Sequence, residues 1–463
     1  MTIDQSKADI PNFRLFLTSI GIGAFLSHFT AGVVTVSLPE LTRTFQASIE
    51  QTQWITTGYL LIIAVLLPIM GKLGDRYGHR RMHNTGYLLF TISSVLIALS
   101  PTLGAILVTR AVQAVGASMF QATNIALITL LMPKEKRGRT LGLISTAVAL
   151  GGMSGPVVGG MISQWLSWQW LFLIHVPVSA AATYLAIKYI PATGSAPGRK
   201  VSFDSTGALL FTALVGMILF GVTRAADWHL ASTEAWVVSC SALIVLWLFS
   251  RHSRHHSSPF LPLQMLREPV LSSGLFVSLI SFLLVNSVQV ILPFYLTEST
   301  DMTLWASGTL MAVYPVSLAV CGPVAGWPSD KLGTRLFPLL GLTMIGAGLL
   351  LFVLLQDRLA PVLTGGLLVL LGAGMGMIAS PNSSLIMSSI ASSHAGMAGG
   401  LLALSRNLGM AFGASVGLGS VQDSTYNAVF VLDIFLCISA ILVCVFAGRM
   451  QQHTIRSEIR REK

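Results

Sequence analysis

The chain has 463 residues, of which 53% are hydrophobic and only 10% are charged. A soluble globular protein carries about a quarter charged residues, so this composition excludes a soluble domain and indicates a protein that has lipid as its solvent. The formal net charge of +10 is explained below by the orientation of the loops, so we predict no binding to nucleic acid.

Fourteen apolar stretches are long enough to cross a bilayer, which takes about 20 residues in a helix. We number these stretches as spans 1 to 14; they are centred near residues 25, 62, 92, 115, 150, 180, 213, 242, 283, 315, 345, 370, 408 and 438. The loops between them are short and leave no room for a large soluble domain. The predicted class is therefore an all-α integral membrane protein.

Basic residues are distributed unevenly between the two sides of these spans. If both termini lie on one side, that side collects 23 of the 28 Lys and Arg residues, and the opposite side holds three. Because Lys and Arg concentrate in cytoplasmic loops, we predict that both termini are cytoplasmic. The expected location is the cell (inner) membrane, with the lipid bilayer as the principal partner.

A polar cluster follows span 2 and recurs after span 10, in the segments GKLGDRYGHRR and GWPSDKLGTR. The equivalent residues lie 255 positions apart; they are Gly71, Asp75, Gly78 and Arg80 in the first copy and Gly326, Asp330, Gly333 and Arg335 in the second. Such a repeat indicates two related halves, and internal repeats in a membrane protein point first to a transporter.

The polar stretches between spans divide the chain into six, two and six spans. The predicted parts are an N-terminal six-helix bundle (1–191), two additional helices with their linkers (192–262), a C-terminal six-helix bundle (263–448) and a basic cytoplasmic tail (449–463).

Glycines recur at intervals of four residues in spans 5 and 13, which places them on one helical face and lets helix backbones approach closely. They are Gly151, Gly155 and Gly159 in span 5, with Pro156 and Gly160 beside them, and Gly409, Gly413 and Gly417 in span 13. Static packing explains such a stripe. Its occurrence in equivalent helices of both halves favours a contact that slides or rocks.

Few polar residues fall within the spans, and they are our candidate site residues: His28, Arg110, Gln121, Asn124, His175, Asn286, Gln289, Arg406, Asn407 and Asp433. Asp433 is the only clear intramembrane acid. A buried guanidinium is costly unless it is paired, so Arg110 is the preferred functional arginine, although a structural arginine bonded to carbonyl groups stays open. For Arg406 and His175, packing is the simpler interpretation.

Three histidines, His252, His255 and His256, lie close together in a basic loop after span 8. The loop has no acidic or cysteine residue beside them, so we predict a solvated loop and no metal site. The four cysteines form no CxxC pair. No cofactor is predicted.

Five segments together resemble the major facilitator superfamily and, within it, the fourteen-span drug:proton antiporters. GKLGDRYGHRR resembles the signature between spans 2 and 3, RAVQAVGA the span 4 signature with its buried arginine, and GGMSGPVVGG the antiporter signature of span 5. QWITTGYLL in span 2 and SWQWLFLIHVPV near span 6 are similar to the fourteen-span branch. The resemblance covers nearly the whole chain.

The resemblance implies alternating access, in which two six-helix bundles rock about a central site and spans 7 and 8 lie outside this core. It implies a conformational latch in which the residue at the Asp75 position caps a helix terminus, formed by Gly71, Asp75, Arg76, Gly78, Arg80, Asp330 and Arg335. The central-cavity candidates are Arg110, Gln121, Asn124, Asn286, Gln289 and Arg406.

Span 1 departs from the family at the position of its usual acid, where this chain has Thr30. His28 is the only titratable side chain nearby, so proton coupling is expected to rest on His28 or Asp433. Two arginines with scarcely a matching acid point to a substrate that is neutral, zwitterionic or anionic.

The sequence thus predicts a secondary active exporter of amphipathic small molecules, driven by protons and monomeric. A facilitator, or a lipid or amphiphile flippase without conventional proton coupling, is the alternative. An intramembrane enzyme is not predicted, because the spans contain no convergent nucleophile and base and no metal-ligand motif.

Overall fold

The computed structural model describes residues 12–191, 203–224, 233–299, 309–332, 336–355, 361–391, 394–423 and 426–461. Within these ranges the regular elements are helices: α1 (Phe13–Val36), α2 (Leu38–Thr44), α3 (Ile49–Tyr77), α4 (His79–Ala98), α5 (Leu103–Leu131), α6 (Lys134–Trp165), α7 (Trp170–Leu173), α8 (His175–Tyr189), α9 (Ser205–Arg224), α10 (Thr233–His255), α11 (Pro269–Ser299), α12 (Val313–Leu332), α13 (Leu336–Leu355), α14 (Pro361–Ser388), α15 (Ala395–Asp423) and α16 (Tyr426–Arg461). A short 3₁₀ helix (Met265–Arg267) precedes α11.

Eleven helices in the described part of the chain are long and apolar enough to cross a membrane. The 29 residues of α3 extend for about 43 Å at 1.5 Å per residue, which exceeds the hydrocarbon core of about 30 Å. Three further long helices, α4, α6 and α15, occupy the places of predicted spans 3, 5 and 13. They are less apolar, because α4 and α6 begin with basic residues and α15 is rich in glycine. The all-helical membrane fold is confirmed, and the count of fourteen spans stays a prediction.

Gly78 joins α3 to α4 without an intervening loop. Its φ angle of 95° lies in the region that residues with a Cβ atom rarely adopt, so a glycine is required at this junction. The start of α3 is fixed by a capping box, in which Ser48 accepts from the amide of Gln51 and the Gln51 side chain accepts from the amide of Ser48. Both devices set where α3 begins and ends.

The chain forms two compact units. Unit 1 comprises Met1–Thr140, Ala147–Arg199 and Ser392–Gly400, and unit 2 comprises Leu141–Thr146, Lys200–Ala391 and Leu401–Lys463. The first six residues of α15 therefore belong to unit 1, and α9 and α10 belong to unit 2. The predicted boundaries at residues 191, 262 and 448 stay predictions.

In unit 1, the glycine stripe of α6 packs against α1. A Cβ atom on Gly151 would overlap the carbonyl oxygen of Phe25, and one on Gly159 would overlap that of Val33. A Cβ atom on Gly155 would lie 2.9 Å from the Cα atom of Gly32. Because these backbones touch, a side chain on any of the three glycines would force the two helices apart.

Unit 2 repeats this packing with its own helices, α15 and α11. A Cβ atom on Gly409 or Gly413 would overlap the carbonyl oxygen of Leu279 or Leu283, respectively, and one on Gly417 would lie 3.1 Å from that of Ser287. Both stripes thus hold a helix against another helix of the same unit. The shared arrangement supports the internal repeat inferred from the sequence.

Candidate functional site

Asp75 lies in the last turn of α3 and caps the N-terminus of α15, 321 residues away along the chain. Its Oδ1 accepts a hydrogen bond from the Gly396 amide at 2.8 Å, and its Oδ2 accepts one from the Met397 amide at 3.0 Å. The first amides of a helix have no partner within the helix and carry the positive end of its dipole. A carboxylate here therefore stabilises the contact between α3 and α15.

Glycines make this contact possible. A Cβ atom on Gly71 would overlap the carbonyl oxygen of Gly396, and a Cβ atom on Gly396 would overlap that of Gly71. One turn further along α15, a Cβ atom on Gly400 would lie 2.7 Å from the carbonyl oxygen of Leu67. Gly71 is thus explained by the close approach of α3 to α15, which brings the Gly396 amide within reach of Asp75.

His79 belongs to the same cluster, although its sequence context does not single it out. Its Nε2 lies 3.3 Å from Asp75 Oδ1, and the residue is only 4% exposed. Its Nδ1 has no hydrogen-bond partner among the described residues. The only feature of the sequence that could have predicted the contact between His79 and Asp75 is their separation of four residues.

Two of the predicted latch arginines, Arg76 and Arg80, contact groups other than Asp75. The Arg80 guanidinium donates to the carbonyl oxygen of Ile187 at 2.6 Å, near the end of α8, and Arg76 lies over the ring of Tyr77. In the second cluster, Arg335 and the side chain of Asp330 lie outside the described residues. In the antiporter signature, the side chain of Pro156 is likewise outside them, and Gly160 is half-buried beside the stripe.

Arg110 is enclosed in unit 1, where it is 1% exposed. Its Nε donates to the carbonyl oxygen of Ile55 at 3.2 Å, one terminal nitrogen donates to the Thr30 hydroxyl at 3.1 Å, and the other donates to the Thr30 carbonyl at 3.3 Å. The nitrogen on the Thr30 hydroxyl also donates to Gln113. Four of its five N–H groups are therefore used.

Aromatic rings complete the surroundings of Arg110. The guanidinium carbon lies 3.9 Å from the centre of the Tyr59 ring and 5.5 Å from that of Phe172. A desolvated cation over an aromatic face gains about 2 kcal/mol or more. Gln113, which the sequence does not single out, extends the hydrogen-bond network by donating to the Ser94 hydroxyl at 2.7 Å. Thr30, the residue at the family's acidic position, is fully buried as an acceptor for Arg110.

Arg406 in unit 2 has fewer partners. One terminal nitrogen donates to the carbonyl oxygen of Ala379 at 3.2 Å and to the Ser383 hydroxyl at 2.6 Å. Its Nε is buried without a hydrogen-bond partner among the described residues. The guanidinium lies 5.5 Å from the centre of the Phe282 ring. Like Arg110, it pairs with no carboxylate in the described part of the chain, but it retains hydrogen-bonding capacity.

The structure brings His28 and Gln121 together through Ser27. His28 Nδ1 lies 2.9 Å from the Ser27 hydroxyl and 3.2 Å from the carbonyl oxygen of Ala24, and Gln121 donates to the same hydroxyl at 3.3 Å. Among the described residues, the carbonyl oxygens of the Gln121 and Asn124 side chains are buried without a donor. This cluster joins α1 to α5 and is only partly satisfied.

Asp433 lies in α16 and is fully buried against α11. One carboxyl oxygen accepts from the Ser287 hydroxyl, and the other has no partner among the described residues. On α11, Asn286 donates to the carbonyl oxygen of Met410 at 2.7 Å, which ties it to α15. Gln289 is half-buried and has no hydrogen bond to the described residues.

Two other polar residues of the spans are bonded locally. His175 is fully buried, with Nδ1 3.1 Å from the carbonyl oxygen of Phe172 and its ring against Phe29. Asn407 donates to the carbonyl oxygen of Ala403 one turn earlier in its own helix. Both arrangements match packing roles.

The histidine loop has an acidic partner, contrary to our expectation. His252 Nε2 lies 2.8 Å from Asp204 Oδ1, and one ligand atom each from Asp204, His252 and His256 lie within 4.8 Å of one another. The sequence did not show this, because Asp204 precedes α9 whereas His252 lies in the last turn of α10 and His256 directly follows that helix. Burial raises the pKa of the Asp204 carboxyl, but hydrogen bonds from the Gly207 amide, His252 and the Phe260 amide outweigh burial and leave the pKa below its usual value.

Known proteins resemble this chain over most of its length. The model of the Major Facilitator Superfamily matches residues 20–414. Riboflavin transporter RibZ of Clostridioides difficile (strain 630) is 30% identical over 427 residues, which cover 90% of each protein. Drug efflux pump JefA of Mycobacterium tuberculosis is 29% identical over 420 residues, covering 90% of this chain and 82% of the pump.

A solved structure shares the fold. The human organic anion transporter MFSD10 matches with a TM-score of 0.70, covering 94% of this chain and 100% of that chain, at 15% sequence identity. At this identity the likeness concerns the fold alone.

Proposed function

The chain belongs to the major facilitator superfamily, and we propose that this multi-pass membrane transporter is a secondary active exporter of amphipathic small molecules. Relatives named for drug efflux and for riboflavin transport support a small organic substrate. In this proposal the protein works as a monomer in the cell membrane, with both termini in the cytoplasm as the distribution of Lys and Arg predicts.

The observation that best supports alternating access is the Asp75 cap at the N-terminus of α15. A carboxylate at a helix N-terminus contributes about 0.3–1 kcal/mol, and up to about 2 kcal/mol when it is partly buried. A contribution of about 1–2 kcal/mol, the upper part of this range, biases an equilibrium between two states about five- to thirtyfold without locking it. The cap is therefore strong enough to favour one state and weak enough to open in each transport cycle.

Arg406 supports a substrate that carries an anionic or strongly hydrogen-bond-accepting group. Its Nε has no partner among the described residues, and the Ser383 hydroxyl lies beside it. An unsatisfied buried donor costs about 1–3 kcal/mol, and more when it is charged, so an acceptor on the substrate would gain that energy on binding. Substrates of this class are neutral, zwitterionic or anionic amphiphiles.

Proton coupling in this proposal rests on His28, with Asp433 as the second candidate. Thr30 cannot titrate and is bonded to Arg110. His28 is half-buried in the partly satisfied cluster with Ser27 and Gln121, where a change of its charge would alter the hydrogen bonds between α1 and α5. Asp433 has one carboxyl oxygen without a partner among the described residues.

A facilitator, or a lipid or amphiphile flippase without conventional proton coupling, is the second candidate function. The specific observation in its favour is Thr30, because the usual titratable acid of span 1 is absent and its place is taken by an acceptor for Arg110.

Transport by the purified protein in lipid vesicles distinguishes these functions. An imposed pH gradient should drive uphill movement of anionic or zwitterionic amphiphiles, with weaker or no movement of simple organic cations. The His28→Ala variant should lose gradient-driven transport and keep downhill exchange of substrate. Equal transport with and without the gradient would establish the facilitator or flippase instead. Full gradient-driven transport by His28→Ala would transfer the coupling role to Asp433, to be tested with Asp433→Asn.

A further inference from the structure

Asp204 and two histidines of the α10 region form a compact cluster in unit 2, outside the transport machinery described above. Asp204 immediately precedes α9, and its side chain is 2% exposed. His252 lies in the last turn of α10, and His256 follows one turn later, with its amide bonded to the carbonyl oxygen of His252 at 3.0 Å. The two histidine rings therefore lie on the same side, with ring centroids 5.2 Å apart.

The arrangement suits a transition-metal ion better than calcium or magnesium. Imidazole nitrogen is a common ligand of Zn²⁺, Co²⁺ and Ni²⁺, whereas Ca²⁺ and Mg²⁺ take oxygen ligands. At bond lengths of about 2.0–2.2 Å, the ligand atoms of a tetrahedral site lie about 3.4 Å apart. The Asp204 Oδ1 to His252 Nε2 distance of 2.8 Å must widen slightly to reach this value, and the third ligand atom lies within 4.8 Å.

The carboxylate is already held in place by the backbone. The Gly207 amide donates to Asp204 Oδ1 at 2.8 Å, and the Phe260 amide donates to Oδ2 at 2.9 Å. Such outer hydrogen bonds orient a metal-binding carboxylate and reduce the cost of organising the site. They also connect α9 to the segment that follows α10, so an ion at Asp204 would act on a junction between three parts of the chain.

Two features oppose metal binding and set its limits. The amide of Ser258 donates to His256 Nδ1 at 3.2 Å, and ligation through either ring nitrogen removes that acceptor, because ligation at Nε2 moves the ring proton to Nδ1. Arg251 and Arg254 are exposed on the same helix, and their charges repel a cation through solvent. The first cost is one long hydrogen bond, and the second is screened by salt.

We propose that Asp204, His252 and His256 bind one divalent transition-metal ion of the Zn²⁺ class, with water as the fourth ligand, and that this ion clasps α9 to the end of α10. With deprotonated Asp204 and two neutral imidazoles, the bound site carries a net charge of +1. Each imidazole keeps one proton, on Nδ1, when its Nε2 binds the ion.

Co²⁺ is the most direct probe, because a tetrahedral Co²⁺ site absorbs visible light strongly. The full chain, purified without a histidine tag and freed of metal by a chelator, should bind about one equivalent of Co²⁺, and Zn²⁺ should displace it. Zn²⁺ should also raise the melting temperature. The variants His256→Gln and Asp204→Asn should each weaken Co²⁺ binding at least about tenfold. Asparagine preserves the helix cap, so Asp204→Asn should still fold.

His255→Gln is the matched control. His255 lies between the two proposed histidine ligands along the chain and is the last residue of α10, but it is exposed and its Nδ1 bonds to the carbonyl oxygen of Arg251. This variant should bind Co²⁺ like the unaltered chain. Equal loss of binding in His255→Gln and His256→Gln would show adventitious binding to a histidine-rich loop and overturn the proposal. Absence of tetrahedral Co²⁺ absorption in the unaltered chain would overturn it as well.

Discussion

Arg110 and Arg406 are both arginines of membrane helices without a carboxylate partner in the described part of the chain, yet their surroundings differ. Arg110 uses four of its five N–H groups and lies against Tyr59 and Phe172. Arg406 donates hydrogen bonds from one nitrogen only, and its Nε is buried without a partner among the described residues.

The difference separates two uses of a buried cation. A guanidinium whose donors are all but satisfied by the protein gains little from a ligand, so Arg110 is expected to fix the packing of α1, α3 and α5. A guanidinium with unused donors gains an acceptor when a substrate arrives, so Arg406 is expected to bind one. The sequence favours Arg110 as the functional arginine, because a buried guanidinium is costly unless it is paired, whereas the contacts favour Arg406.

Removing Arg110 should cause the largest loss of stability. In Arg110→Met, the buried acceptors on Thr30 and Gln113 lose their donor, and each acceptor left unsatisfied should cost about 1–3 kcal/mol of stability. Arg110→Lys should recover only part of the lost stability, because an ammonium group cannot reproduce the planar set of guanidinium donors. Thermal unfolding of the detergent-purified protein measures both. A fully stable Arg110→Met variant that no longer binds substrate would reverse the comparison.

Arg406→Gln should leave folding nearly intact and weaken the transport of anionic substrates. Hydrogen bonds to charged groups contribute about 1.5–3 kcal/mol, which corresponds to about a 10- to 100-fold rise in the half-saturating concentration. Transport of a neutral amphiphile should change much less. The measurement is concentration-dependent transport of a matched anionic and neutral pair, with Asn407→Ala as the neighbouring control. Equal losses for both substrates would argue against direct binding of the charge.

Asp75→Asn should change the populations of the conformational states while leaving the contacts of both arginines unaltered. Asparagine can keep one amide hydrogen bond but loses the charge that faces the helix N-terminus, so the state that contains the cap should lose about 1 kcal/mol, roughly a fivefold change in population. Distance measurements between labels on α3 and α15 report this shift. Unchanged populations combined with lost substrate affinity would assign Asp75 to the binding site.

Thr30→Val should cause the smallest change in stability, and it tests how many of the Arg110 donors have acceptors. The change removes one hydroxyl acceptor and leaves the Thr30 backbone carbonyl in place, so it should cost about 1 kcal/mol of stability. Thr30→Ser, which keeps the hydroxyl, is the control and should unfold close to the unaltered protein. Loss of gradient-driven transport in Thr30→Val with stability unchanged would give Thr30 a functional role that its contacts do not suggest.

The sequence by itself determined the class of the protein and much of its architecture. Apolar stretches of membrane length predict helices because backbone groups in lipid must satisfy one another within each segment. The repeated Asp75 and Asp330 clusters and the glycine stripes indicated related halves, and the stripes in α6 and α15 do pack against α1 and α11 in the same way. These features depend on local spacing along the chain, which a single sequence displays directly.

Only the tertiary structure decided which polar groups meet. Asp75 accepts a hydrogen bond from an amide 321 residues away along the chain. Arg110 donates to Thr30, which is 80 residues away, and Asp204 lies within hydrogen-bonding distance of His252, which is 48 residues away. A hydrogen bond requires donor and acceptor within about 3 Å, and one residue of rotation on a helix moves a side chain by 100°. The register between packed helices therefore decides whether a polar residue is satisfied or available, and helical periodicity alone does not specify that register.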